Sequence, residues 1–194
     1  ISESKGNFEG ALKSDTGQTD AGIVSDFDFL SFIPGQYGLL PNHHGHQFKL
    51  FGSYAVTDNL LLGMNGSVIS PRHYGCIGLA PDDYANGDGG VANGSYGVEN
   101  ARFCGNKVVN RGSAFKADWV SRLDLSVRYT VPESISRSGN LVLRADVFNL
   151  FNQQNVQESY EFGETDGGDV DINYKKPVAY QAPRSVRIGF DWEF

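Results

Sequence analysis

Long hydrophobic runs are what this sequence lacks most. No stretch approaches the roughly 18 consecutive apolar residues that a membrane-spanning helix needs, so a helical membrane protein is excluded. Methionine occurs once in 194 residues while glycine occurs 24 times, and aromatics reach 12%. That balance suits strands and turns better than helices. Positive charge is scarce: 16 Lys and Arg against 23 Asp and Glu leave a net charge of −7. A surface of that sign does not suit nucleic acid as a partner. Ile1-Ser2-Glu3-Ser4-Lys5 has no basic flank, apolar core or small-residue cleavage site, so it is not a signal peptide. An exported protein is then expected to have lost one, or to be the tail of a longer chain.

Cysteine is limited to Cys76 and Cys104, both inside a Gly-rich polar stretch. In an oxidising compartment they are expected to pair and staple that stretch. Closing a loop of about 29 residues is worth roughly 3–4 kcal/mol in the chain-entropy view. Two unrelated thiols are the alternative, but buried free cysteines favour apolar surroundings that neither position has.

What the sequence does have is alternation. In Ser185–Phe194, Val186, Ile188, Phe190, Trp192 and Phe194 fall on one parity, and Arg187, Gly189, Asp191 and Glu193 on the other. Side chains alternate faces along a strand, so one face is apolar and the other charged or small. The same pattern marks 46–56, 60–69, 118–131 and 141–151. Arg122, Asp124, Arg128, Arg144, Asp146, Arg187 and Asp191 all take the parity opposite the aliphatic set. These strands have the length of tilted membrane strands, about 9–11 residues. With hydrocarbon on one side and a wet lumen on the other, the pattern predicts an antiparallel transmembrane β-barrel wall. A soluble β-sandwich, a ligand-binding module of carbohydrate type, would alternate too. It accounts less well for what joins the strands: short connections at 57–59 and 132–140, long ones near 6–40, 71–117 and 153–183. Short turns are periplasmic and long loops extracellular in outer-membrane barrels. The expected orientation puts Phe194 at the periplasmic rim and both cysteines outside the cell.

Chemistry beyond this wall is sparse. His43, His44 and His46, with His73, invite a metal hypothesis, but their spacing matches no closed structural site. Asp82, Asp83 and Asp88, or Asp166, Asp169 and Asp171, lack the spacing of a calcium loop. No metal or other cofactor is therefore expected. Serine, histidine and aspartate occur without a nucleophile-elbow pattern, and the chain is not expected to be an enzyme.

Leu143-Arg144-Ala145-Asp146-Val147-Phe148-Asn149-Leu150-Phe151-Asn152, then Pro183-Arg184 and the alternating strand to Phe194, resemble the carboxy-terminal end of a TonB-dependent outer-membrane receptor. Gly6-Asn7-Phe8-Glu9-Gly10, Leu40-Pro41-Asn42 and His46-Gln47-Phe48-Lys49-Leu50-Phe51-Gly52 resemble its Oar-like branch. The resemblance implies a barrel of roughly 22 strands around a plug, to which residues 1–194 contribute a carboxy-terminal segment of about five or six strands. It implies uptake of a large or scarce solute across the bacterial outer membrane. The implied partners are outer-membrane lipid, the TonB system through a missing amino-terminal part, an unknown extracellular ligand and the barrel-assembly machinery. That machinery would read Phe190, Trp192 and Phe194.

Overall fold

The computed structural model describes residues 1–8, 10, 30–81, 101–136 and 139–193. Phe194, Phe27, Phe29, Asp82, Asp83 and Asp88 lie outside the described residues.

Where the sequence alternates, it forms strands: β1 Gln47–Thr57, β2 Leu60–Ile69, β3 Val120–Val131, β4 Asn140–Phe148 and β5 Ser185–Glu193. They lie in one five-stranded sheet in the order β5-β4-β3-β2-β1, each antiparallel to its neighbours. Chain neighbours are sheet neighbours throughout, a plain meander. Thr57 Oγ1 closes the β1–β2 turn by accepting from the backbone N–H groups of Asn59 (3.3 Å) and Leu60 (3.1 Å). The pairing slips by one residue between Ala55 and Thr57, a bulge at the turn end of β1. The β3–β4 connection holds one helical turn, Glu133–Ser136.

The strand anticipated over 141–151 stops at Phe148. Asn149 and Asn152 adopt left-handed φ values of 51° and 55°, which a ladder does not accommodate. Among the described residues the sheet is open, with β1 and β5 as its edges, and no barrel closes.

A second compact unit comprises residues 1–46, 70–118 and 156–179. The sequence reads these stretches as irregular loops. Their described residues make very short pairings: Lys5–Gly6 with Gly38–Leu39, His73–Tyr74 with Phe115–Lys116, and Phe103–Cys104 with Lys107–Val108. Val156–Ser159 and Pro177–Tyr180 form a further two-stranded sheet. Phe32, Ala80, Ala101 and Phe103 make a small buried core. Phe32 comes from the aromatic cluster that reads as a loop patch; a single 3-10 turn, Leu30–Phe32, carries it inward.

Candidate functional site

The register turns the parity argument into two faces. One carries Leu62, Val127, Ala145 and Ile188 in one row across four strands, and Met64, Leu125, Val147 and Val186 in the next. Phe190 and Trp192 continue it on β5. These side chains are uncovered: Ile188 is 81% exposed, Phe190 69% and Trp192 57%. An apolar face spanning five strands is far larger than the scattered apolar residues of a soluble surface.

The opposite face gathers every charged residue singled out by parity: Arg122, Asp124, Arg128, Arg144, Asp146, Arg187 and Asp191. Most are joined in pairs. Arg122 Nε meets Asp124 Oδ1 at 2.7 Å, Arg187 Nη2 meets Asp146 Oδ2 at 2.9 Å, and Arg144 closes on Asp191. Arg122 and Arg187 flank the Phe148 ring, their guanidinium carbons 5.7 and 5.4 Å from its centre. Arg128 stands directly opposite Arg144 in the register. A row of small residues, Ser53, Gly63 and Ser126, crosses three strands on this face. It floors an open hollow of about 630 Å³ walled by Phe51, Asn65, Asp124, Asp146 and Phe148. Its lining combines the two aspartates and Asn65 with the aromatic rings of Phe51 and Phe148.

Asp124 and Asn149 lock one end of the sheet. Asp124 Oδ1 accepts the Asn149 backbone N–H at 2.8 Å as well as Arg122. The Asn149 amide donates to the Gln153 carbonyl (2.8 Å) and the Ala182 carbonyl (2.7 Å), and its oxygen accepts Gln153 N–H (3.1 Å). Gln181 Nε2 donates to Ser121 O at 2.8 Å, and Asn152 Oδ1 accepts Arg184 N–H at 2.9 Å. The Asn149-Leu150-Phe151-Asn152 stretch therefore ties the end of β4 to the approach of β5. Parity identifies Asp124 as a wall carboxylate, yet it is buried and committed to this turn.

In the second unit Cys76 and Cys104 form a disulfide with a Cα–Cα distance of 6.2 Å. Gly163 lies against it: a Cβ there would run into Cys76 Sγ and sit 2.8 Å from Cys104 Sγ. The Gly163 amide also donates to Ile77 O (2.8 Å), and its carbonyl accepts from Asp171 (2.9 Å). Neither the bridge nor the backbone can give way cheaply. Gly163→Ala is expected to lower stability by about 1–3 kcal/mol, the usual range for overpacking, in denaturant melts of the oxidised protein. An unchanged midpoint would mean that the bridge does not pack here.

Beside the bridge lies a charge network that sequence reasoning missed. Arg102 is 1% exposed and Glu161 6%. Glu161 Oε1 accepts from Arg102 Nη1 (3.1 Å) and from Gly75 N–H (2.7 Å). Arg72 reaches both Glu161 (3.9 Å) and Glu158 (2.5 Å), and packs its guanidinium over the Tyr74 ring at 4.7 Å. Burial pushes the Tyr74 hydroxyl well above the usual phenol range, with Glu158 adding to the rise and Arg72 opposing it. The partners are 59 to 89 residues apart in stretches without periodicity, so no sequence signal joined them.

The histidines make hydrogen bonds and ring contacts within this unit. His43 is buried, and its Nδ1 accepts the Ser4 N–H at 3.0 Å. His44 Nδ1 donates to Ser70 O at 2.7 Å. His46 bonds Ser70 through its backbone. His43 and His73 meet edge to face, with centroids 5.9 Å apart. Among the described residues no three His, Cys, Asp or Glu side chains gather as a metal site. Asp166 and Asp169 are exposed in a turn.

Comparison with known proteins adds one likeness. The chain is 29% identical over 225 residues to the TonB-dependent transporter Oar of Myxococcus xanthus, an alignment covering 97% of this chain. The likeness supports a relationship to TonB-dependent receptors. The chain spans about a fifth of the transporter's length, 20%. No protein-family profile matches, and no solved structure matches.

Proposed function

We propose that the chain is a carboxy-terminal wall segment of a TonB-dependent outer-membrane transporter that takes up a large or scarce solute. One observation carries this reading: an uncovered apolar face lies across five strands, back to back with a face of paired charges. In water the first face would need a packed partner; in a bilayer, lipid satisfies it. Strands of 9 to 12 residues suit a tilted crossing. The likeness to a TonB-dependent transporter along nearly the whole chain supports the same reading.

On this reading Arg122, Arg128, Arg144, Asp146, Arg187 and Asp191 face the lumen, with Asp124 on the same face but buried in its turn. The unit built from 1–46, 70–118 and 156–179 is extracellular, and β5 ends at the periplasmic rim. Phe190, Trp192 and Phe194 serve as the signal for barrel assembly, since an edge strand suits capture by strand addition. Upstream segments supply the remaining strands and the contact with TonB.

The test places single cysteines at Ile188 and Ser53 of the full-length protein in outer membranes. A bilayer-confined photolabel is expected to reach position 188 and not 53, and a membrane-impermeant maleimide the reverse. Equal aqueous labelling of both positions would remove the transporter reading.

A further inference from the structure

We infer that the hollow on the polar face of the sheet binds a neutral sugar unit, the part of the solute that meets this wall. The inference rests on the transporter reading for its place in the lumen and adds the chemical class of the solute.

Phe51 is the residue that asks for an occupant. It lies on the polar parity of β1, yet its ring is 81% exposed. A phenyl ring left in water forgoes the gain that burial brings. Among the described residues no other ring and no cation packs on it. Phe148 differs, because Arg122 and Arg187 both approach its ring. The register sets these two rings at opposite ends of one row. Phe51, Asn65 and Asp124 are partners on β1, β2 and β3. Phe148, one residue beyond the Val147–Leu125 pair, continues the row on β4. Three strand spacings, about 14 Å, separate the two ring-bearing backbones. A further strand paired to β1 would stand beside Phe51, not over the hollow.

The adjoining row makes the floor. Ser53, Gly63, Ser126 and Asp146 are register partners there. A Cβ in place of the Gly63 hydrogen would run into Ser126 Oγ, so glycine keeps the centre of the floor low. The resulting volume, about 630 Å³, lies within the range of small-molecule sites, about 300–1,000 Å³.

Charge selects the occupant. Asp124 is bound by Arg122, and Asp146 by Arg187. Each carboxylate of the hollow is neutralised in place, so an ionic guest gains little there. The Ser53 and Ser126 hydroxyls, by contrast, have no hydrogen-bond partner among the described residues. Each can donate one bond and accept two. The hollow thus offers a bare ring beside neutral donors and acceptors. A pyranose unit matches that combination: its C–H face is apolar, and its hydroxyls stand at the rim.

The test presents the full-length protein in detergent micelles to an array of neutral oligosaccharides, sialylated oligosaccharides, and acidic and basic peptides. A neutral oligosaccharide is expected to bind, and calorimetric titration with the strongest one then compares variants. Phe51→Ala should weaken binding about tenfold, the scale of a lost ring contact. Phe51→Leu keeps apolar bulk without the flat ring and should weaken it similarly, while Phe51→Tyr should stay within about threefold. Lys49→Ala, on the same face of β1 but outside the hollow, should stay within about twofold. Raising salt from about 50 to about 500 mM should change affinity less than about twofold, since no net charge is matched. Binding to no neutral oligosaccharide overturns the inference, whether the hollow stays empty or another part of the chain fills it. Preference for a charged ligand, or binding undisturbed by Phe51→Leu, overturns it equally. The cysteine labelling above keeps the two readings apart. Lipid-side labelling of position 188 without glycan binding removes this inference alone; glycan binding with equal aqueous labelling removes the transporter reading.

Discussion

Replacing Glu161 with alanine should destabilise the second unit by about 1–3 kcal/mol, because it removes a buried ion-pair partner of Arg102 and the acceptor of the Gly75 N–H. Arg102 is 1% exposed and draws on Glu161 Oε1, which also accepts the Gly75 N–H. Removing the carboxylate takes one ion-pair partner from Arg102 and leaves the Gly75 amide without its acceptor, in a region with a small buried apolar core. Glu158→Ala provides the contrast. Its side chain is 43% exposed, so its pairing with Arg72 is weakened by solvent and its loss should cost about 1 kcal/mol or less. The double replacement Arg102→Met with Glu161→Leu should recover much of the single-mutant loss, since apolar pairs of similar volume often replace buried ion pairs without penalty. Denaturant titrations that follow the second unit read all of these. A Glu161→Ala midpoint matching that of Glu158→Ala would show that the buried network contributes nothing special.

Arginine at Leu125 should cost the membrane-inserted protein about 2–4 kcal/mol, the penalty for a cation facing lipid near mid-depth. Leu125 lies midway along β3, the central strand, between Met64 and Val147 on the uncovered apolar face. Ser53→Arg, on the opposite face of β1, should change stability by about 0.5 kcal/mol or less. The comparison separates position from the generic effect of adding an arginine. It is measured by refolding the full-length variants into lipid vesicles and titrating with denaturant. Equal penalties at both positions would mean that the two faces meet the same medium.

The strands were legible because their signal is local. Alternation over nine to twelve residues states which side chains share a face, and each charged residue on the polar side agreed with it. Charge parity also settled register, since a slip of one residue would carry Arg128 and Arg144 to the apolar side. The end of β4 was harder to place. Leu150 and Phe151 extend the apolar pattern, but the left-handed Asn149 and its bonds to Gln153 and Ala182 terminate the strand. That decision depends on residues up to 33 positions away.

By itself, the sequence determined the β class, the two chemically opposed faces and the pairing of Cys76 with Cys104. Each follows from short-range periodicity or from the presence of only two thiols. Tertiary structure alone decided that the turn-rich stretches fold into a unit around Arg102, Glu161 and Tyr74. It also decided that Asp124 serves a turn and that His43 accepts a backbone proton. Those outcomes rest on burial and on partners distant in the chain. A buried charge must find its counter-ion in space, and no spacing rule along the sequence records where that counter-ion will be.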